Sequence, residues 1–333
     1  MTKDKNYFGI DVSKDVLDVC DNSGVCYQFK NNVSGFKKLL KLLDKNSICV
    51  MEATGYYHLK LAYYLLEENQ GVSVVNPLKI KRYIQMQLSK IKTDKSDAKM
   101  IQSYSVDCEP TLWFGQSKTQ QESLQLSRLL SVYVKQVTQL KNKIHGEEVL
   151  GFPSKDVVRS LNRQLKSLKK EMHSLEDKLL KNVKFEYQDS LTLLKTIPGI
   201  GDKTALMLLV FTDGFNRFSS SKELCSYAGI TPVIRQSGSS VKGRPRMSKM
   251  GNPKLRNLLF MCSFNACKYN KACKALFDRI VATCLRRAKR EEDTSKKLAL
   301  IAVCNKLLKQ AFAVVKNKLP YDSNYRSTLA INN

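Results

Sequence analysis

The sequence predicts an α/β domain followed by a mainly helical half, and three observations predict it. The first third interleaves short apolar runs of strand type with helical periods. Beyond Pro110 the strand pattern stops and two heptad seams begin. The last third carries helical segments broken by a basic loop rich in serine and glycine. The expected boundaries are 1–109, 110–187 and 188–333.

The elements follow in order. Tyr7-Phe8-Gly9-Ile10-Asp11-Val12-Ser13 reads as a buried strand that carries an acid near its end. Val16–Cys20 alternates and reads as a second strand. A turn at Asp21-Asn22-Ser23-Gly24 leads to a third, Val25–Phe29. Ser34 is the expected cap of a helix to about Leu43, with Phe36, Leu39, Leu40 and Leu43 at helical spacing. Ile48–Glu52 is a strand that stops at another acid before Gly55. A helix from Tyr57 to Glu68 and a strand Val72–Val75 follow, closed by Asn76-Pro77. The next helix carries Lys79, Lys81 and Arg82. Three hairpin-linked strands followed by alternating helices and strands is the ribonuclease H-like arrangement, and strand ends of such sheets are where sites are built.

The stretch Lys92-Thr93-Asp94-Lys95-Ser96-Asp97-Ala98-Lys99 comes next. Asp94 and Asp97 are three residues apart, so on a helix both carboxylates share one face. Like charges held close call for a cation, and Mg²⁺ prefers carboxylate oxygens. A solvated helix turn screened by Lys95 and Lys99 is the plain alternative. Taken singly, Asp11 and Glu52 also read as ordinary strand-end residues. Together the four acids could hold two Mg²⁺ ions, with Mn²⁺ as a substitute, for phosphoryl transfer.

Composition narrows the partners. The chain of 333 residues has a formal net charge of +26, from 56 Lys and Arg against 30 Asp and Glu. The excess is spread along the chain, a field that favours nucleic acid. No uninterrupted apolar run long enough to cross a bilayer is read in the sequence, so no membrane partner is expected. Met1–Asn6 leads straight into a strand-like run without a signal-peptide core. The cysteines are scattered without a CxxC pair and sit in apolar segments, as at Cys49, Cys262 and Cys304. They read as reduced thiols of a cytoplasmic protein, not a disulfide framework. His58, His145 and His173 form no metal spacing.

Four short signatures resemble those of one family. Gly9-Ile10-Asp11-Val12-Ser13-Lys14, Met51-Glu52-Ala53-Thr54-Gly55-Tyr56, Val75-Asn76-Pro77 and Lys92–Ala98 occur in the order seen in the DEDD transposases of bacterial insertion sequences. This is the IS-one-ten family, to which the Piv-type DNA invertases are related. The resemblance implies a RuvC-like catalytic domain whose metal-binding acids are Asp11, Glu52, Asp94 and Asp97. It also implies a bacterial protein that is nucleoid-associated when bound to DNA.

In the middle, Leu126, Leu130, Tyr133, Val137, Leu140 and Ile144 form one a/d seam. Val158, Leu161, Leu165, Leu168, Met172, Leu175 and Leu179 form a second. The pair could fold back as a hairpin or zip two chains together. The narrow seams favour the second arrangement, and the resemblance implies a spacer used in dimer assembly, with tetramers on DNA a further expectation.

In the last third, Leu194–Ala205 contains Pro198-Gly199-Ile200-Gly201 and looks like the turn of a helix-hairpin-helix element. Its glycines would let the backbone approach a phosphate; a plain interhelical turn is the alternative. The loop from Thr231 to Asn252 ends at a helix start near Asn252-Pro253. Arg235, Lys242, Arg244, Arg246, Lys249, Lys254 and Arg256 would neutralise several phosphates. On composition alone this is a mobile basic clamp without chemistry. Gln236-Ser237-Gly238 and Met247–Arg256, with Lys296–Leu308, resemble the C-terminal signature of the same transposases. That resemblance implies a serine nucleophile that forms a phosphoserine link to DNA, assigned here to Ser237. Ser239, Ser240 and Ser248 crowd the motif. A serine hydroxyl needs activation, and no histidine is near in sequence. Metal or a carboxylate from the first domain would supply it, which suits a composite site. The resemblance further implies a guide RNA. The expected function is a transposase or site-specific recombinase. Its rivals are a metal-dependent nuclease of the Holliday-junction kind, which needs only the acids, and a non-catalytic nucleic-acid-binding scaffold.

Overall fold

A computed structural model describes residues 5–53, 55–88, 93–234, 236–237, 241–243, 246–288 and 292–324. The chain divides into two compact units, residues 1–116 and 117–333.

The first unit is built on a five-stranded sheet. Its strands are β1 (Asn6–Val12), β2 (Val16–Cys20), β3 (Cys26–Lys30), β4 (Ser47–Glu52) and β5 (Gly71–Val75), in spatial order β3-β2-β1-β4-β5. β1, β2 and β3 pair antiparallel, whereas β4 pairs parallel with β1 and β5. Helices α1 (Val33–Leu40), α2 (His58–Glu67), α3 (Pro77–Met86) and α4 (Asp94–Cys108) complete it. The element order is the one read from the sequence. The first helix is capped by Asn32, whose extended backbone lets its side chain accept from Gly35 N–H, and not by Ser34.

Period-two alternation sorts the strands onto two faces. Phe8, Ile10, Leu17, Val19, Cys49 and Met51 pack with α1 and α2 residues such as Phe36, Leu39, Leu61 and Leu65. Tyr7 and Val50 face the other way, against Ile80 and Tyr83 of α3 and Ile101 and Tyr104 of α4. Asp11 and Glu52 share the phase of Tyr7 and Val50, so they stand on the α3/α4 face. The segment after α4 stays with this unit: Trp113 N–H donates to the Val72 carbonyl at 2.7 Å, and Ser73 Oγ donates to the Thr111 carbonyl at 2.9 Å.

One cysteine expectation is corrected. Cys20 and Cys26 form a disulfide. They are cross-strand partners in the β2–β3 register, so the hairpin brings together two residues whose spacing gives no motif. Cys49, Cys262 and Cys304 are buried free thiols as expected.

The second unit contains α5 (Lys118–Val149), α6 (Lys155–Lys195), α7 (Asp202–Thr212), α8 (Ser221–Ala228), α9 (Pro253–Tyr269), α10 (Lys271–Ala288) and α11 (Glu292–Asn317). Between α8 and α9 the described residues include the two-residue strands β6 (Pro232–Val233), β7 (Gln236–Ser237), β8 (Val241–Lys242) and β9 (Arg246–Met247). β6 pairs with β9, and β7 with β8. The two heptad helices close on each other within the chain as an antiparallel hairpin. Glu122 of α5 bonds Lys178 at 2.5 Å and Asn182 at 2.8 Å on α6. Farther out, Tyr133 and Leu140 line the same cleft as Leu168 and Glu171. Within the chain the two seams face each other, because the short connection after Val149 lets α6 fold back.

Apolar residues of α11, including Val303, Cys304, Leu307 and Leu308, are fully buried with Leu208, Leu209, Leu255 and Leu259. α11 is the one helix among the described residues long and apolar enough to cross a membrane, with a mean hydropathy of 1.7 over its apolar window. Lys306 and Lys309 interrupt its apolar run, in keeping with the absence of an uninterrupted one from the sequence. Its burial accounts for its composition as that of a core helix.

Candidate active site

β1 and β4 set two of the acids side by side. Their parallel register pairs Ile10 with Met51, and continuing it by one residue places Asp11 beside Glu52. On the other flank Asp11 is the direct antiparallel partner of Asp18. Asp18 is buried and accepts a hydrogen bond from Gln28 Nε2 at 3.0 Å. It is a fifth acid at the site, which the sequence reading missed. The signal was an acid at an otherwise apolar position of β2, opposite the acid of β1.

α4 brings the other two. Thr93 and Ser96 form a reciprocal cap: Thr93 Oγ1 accepts from Ser96 N–H at 3.1 Å, and Ser96 Oγ accepts from Thr93 N–H at 2.8 Å. This fixes the first turn, which carries Asp94 and Asp97, and negative charge there suits the positive end of the helix dipole. The helix lies directly on β1. A Cβ on Gly9 would stand 2.2 Å from Gln102 N and 2.3 Å from the Ala98 carbonyl oxygen. Gln102 Nε2 also donates to Asn22 Oδ1 at 2.9 Å in the turn after β2, and Cys20 Sγ lies 3.8 Å from the Lys95 carbonyl. Gly9 and Asp11 share a face, so α4 stacks on the face that bears the carboxylates.

Electrostatics agree with this placement. The Asp11 carboxyl is pushed up to about 6, first by burial and then by the charges of Asp97, Asp94, Glu52 and Asp18. The other three sequence-predicted acids therefore all act on Asp11. Among the described residues, no three His, Cys, Asp or Glu side chains stand close enough to hold an ion as they are. An all-carboxylate donor set with excess negative charge fits a hard divalent cation. His58, by contrast, is buried beside the sheet and its imidazole is held below the usual histidine range by burial; it has the surroundings of a core residue.

In the second unit Ser237 is exposed on β7, opposite Val241 of β8. Ser248 is used structurally: its N–H donates to the Thr231 carbonyl at 2.9 Å and its Oγ accepts from Met250 N–H at 3.2 Å. Ser239, Ser240, Arg235 and Arg244 lie outside the described residues, and of Lys242 the backbone on β8 is described. Arg246 and Lys249 are exposed. Arg246 lines a groove of about 670 Å³ with Lys222, Lys306 and Lys309 over a floor that includes Ile230 and Met247. Lys254 Nζ donates to Ser131 Oγ at 2.9 Å. Arg256 differs from the others: its guanidinium donates to the Ala228 carbonyl at 3.1 Å and the Lys249 carbonyl at 3.3 Å, which makes it a brace between α8, the loop and α9.

The turn Pro198–Gly201 is an interhelical packing turn on its Gly199 side. A Cβ there would lie 2.8 Å from the Ala266 Cα of α9, so the close approach that glycine permits is to protein, and Ile197 and Ile200 beside it are buried.

Comparison with known proteins gives two family matches, separated by residues 151–190. A model of DEDD transposases of the IS110 type matches residues 8–150, and one described as "Transposase IS116/IS110/IS902 family" matches residues 191–278. The chain is 32% identical to the pilin gene-inverting protein of Moraxella bovis over 96% of this chain and 98% of that one. The counterpart from Moraxella lacunata gives the same figures, 32%, 96% and 98%. It is 25% identical to the transposase for insertion sequence element IS1111A of Coxiella burnetii, covering 77% of this chain and 76% of the relative.

Proposed function

This chain belongs to the IS110-type DEDD transposase family and is a DNA transposase or recombinase, and on that premise we propose how its residues divide the chemistry. The family implies dependence on a divalent metal. Asp11, Glu52, Asp94 and Asp97 would hold it, as Mg²⁺ and most simply as two ions. When bound, it would polarise the scissile phosphate and neutralise charge developing there. The observation that carries this reading is the effect of Asp97, Asp94 and Glu52 on the Asp11 carboxyl: acids far apart in sequence share one field on one face.

The second part is nucleophilic. Ser237 Oγ attacks the phosphorus, an Oγ–P bond forms, and the bond from phosphorus to one strand end breaks. The seryl proton passes to a base and the departing strand oxygen takes up a proton. A strand hydroxyl later attacks the phosphoserine, so the bond energy is conserved and the strand is rejoined. Its support is the exposure of Ser237 on the β7–β8 ribbon, while Ser248 is engaged in the turn. Arg246 and Lys249, with Arg235, Lys242 and Arg244 of the same loop, would contact phosphates. A guide RNA and a dimer joined through the α5–α6 region extend the proposal; a net charge of +26 suits RNA as well as DNA.

Trapping of a covalent protein–DNA adduct tests the serine step. Wild type and Ser248→Ala should form it and Ser237→Ala should not. An adduct that persists in Ser237→Ala overturns the assignment. Cleavage that survives Asp11→Asn overturns the metal site. RNA sequenced from the purified protein tests guidance.

A further inference from the structure

Two helices of the second unit, α5 and α9, meet at a side-chain contact. α5 carries no acid between Glu122 and Glu147, and α9 carries none along its length. Ser131 marks where they meet. Its hydroxyl donates to the Ser127 carbonyl at 2.7 Å, so its lone pair is turned to the Lys254 ammonium, 2.9 Å away. Arg128 and Lys135 lie three residues before Ser131 and four after it, on the same helix face. Both are exposed. They stand two turns apart, about 10 Å along the helix, with Lys254 docked between them.

We propose that Arg128, Lys135 and Lys254 form a clamp for the backbone phosphates of a nucleic acid where α5 meets α9. The proposal deepens the reading that this chain acts on DNA, by adding a contact outside the serine loop. Three cations set along one helix face suit the regularly spaced charges of a polyanion. The Lys254 ammonium is held below the usual lysine range by burial, then by Arg128 and Lys135, so both charges reach Lys254. The helix dipole of α9 is not the attractor. Asn252 Oδ1 already accepts from the Lys254 and Leu255 amides, at 3.0 and 3.2 Å, which leaves the side chains to bind. A span of about 10 Å covers roughly three nucleotides of a duplex strand at about 3.4 Å each. Ser131 acts as a positioning residue, because it fixes Lys254 between the other two.

The test is equilibrium binding of the full-length protein, in divalent-free buffer, to a fluorescent 30-base-pair DNA duplex and to an RNA hairpin, across about 50–300 mM salt. Replacing Arg128, Lys135 and Lys254 together by glutamine should weaken binding at least about tenfold at 100 mM salt and lower the log–log salt slope by about 2–3. Lys254→Arg should bind like wild type. If the triple variant fails to fold, Arg128→Gln and Lys135→Gln, both on exposed side chains, should each lower the slope by about 1. Equal losses on both probes fit a general phosphate clamp, and loss on one probe assigns the clamp to that nucleic acid. Unchanged affinity and slope on both overturn the proposal and leave Lys254 as a brace between helices. Binding in divalent-free buffer involves no strand cleavage, so failure of the cleavage mechanism and failure of the clamp are read separately.

Discussion

Gly9 on β1 and Ala98 on α4 meet backbone to backbone, with only 2.3 Å between the Ala98 carbonyl oxygen and the place a Gly9 side chain would start. That contact sets the height of α4 above the sheet. Asp97 precedes Ala98, and Asp11 follows Gly9 on the same face, so the distance between two catalytic candidates is governed by a residue that has no side chain.

Gly9→Ala is therefore expected to damage stability and activity together. The methyl group would meet main-chain atoms that cannot rotate away. Overpacking of this kind costs about 1–3 kcal/mol, and α4 must lift from β1 to relieve it. Chemical denaturation with a DNA cleavage assay checks this; a variant with wild-type stability and cleavage would show that α4 is not seated by this contact.

Asp11→Asn is expected to stabilise the metal-free protein near neutral pH while abolishing cleavage. The carboxyl is raised to about 6 in the fold, above its unfolded value near 4. Below about pH 4 both states hold the proton and there is no penalty. As the pH rises from about 4 through 6, the unfolded chain releases its proton first and the folded state is disfavoured. Above about pH 6 the penalty is complete, about 1–2 kcal/mol after allowing for partial solvent screening. The amide removes it. Thermal melts in chelator at pH 4 and pH 7.5 should show the variant level with wild type in the first and above it in the second.

Divalent metal should reverse that order. Mg²⁺ or Mn²⁺ at about 100 times its dissociation constant should add about 2.7 kcal/mol to wild type and little to Asp11→Asn or Asp97→Asn. Affinity should climb with pH up to about 6 and then level, because Asp11 must ionise to bind. Thr93→Ala, which removes the cap of α4, should cost about 1 kcal/mol and weaken the metal-induced shift by loosening the turn that holds Asp94 and Asp97. Equal thermal shifts in all four proteins would place the metal elsewhere.

Arg256→Ala should behave unlike the other basic changes. Its guanidinium bonds the Ala228 and Lys249 carbonyls, and charge-assisted bonds of this type are each worth about 1.5–3 kcal/mol. A lowered melting temperature with an unchanged salt slope for DNA binding is expected. A slope reduced by about 1 with normal stability would return Arg256 to the phosphate contacts.

The strands, helices and acids of the first unit were legible in the sequence because each follows from neighbours in the chain. Apolar alternation marks β1 and β4, and Asn76-Pro77 marks the start of α3. Other features depended on partners that linear spacing does not reveal. Asp18 looked like one polar residue in a strand until β2 set it against Asp11. Cys20 and Cys26 form no motif until β2 and β3 pair. The seams of α5 and α6 read the same whether they meet within one chain or between two.

By itself the sequence determined the chemistry available: a polycation carrying four carboxylates in the DEDD order and a serine in a basic loop. The tertiary structure decided which of those groups share a face, that Arg256 is a brace, and that Arg128 and Lys135 flank Lys254. The physical reason is range. Secondary structure and charge are set over a few residues of chain, whereas the field at a carboxylate depends on strand register and helix seating, which are fixed by contacts tens of residues apart.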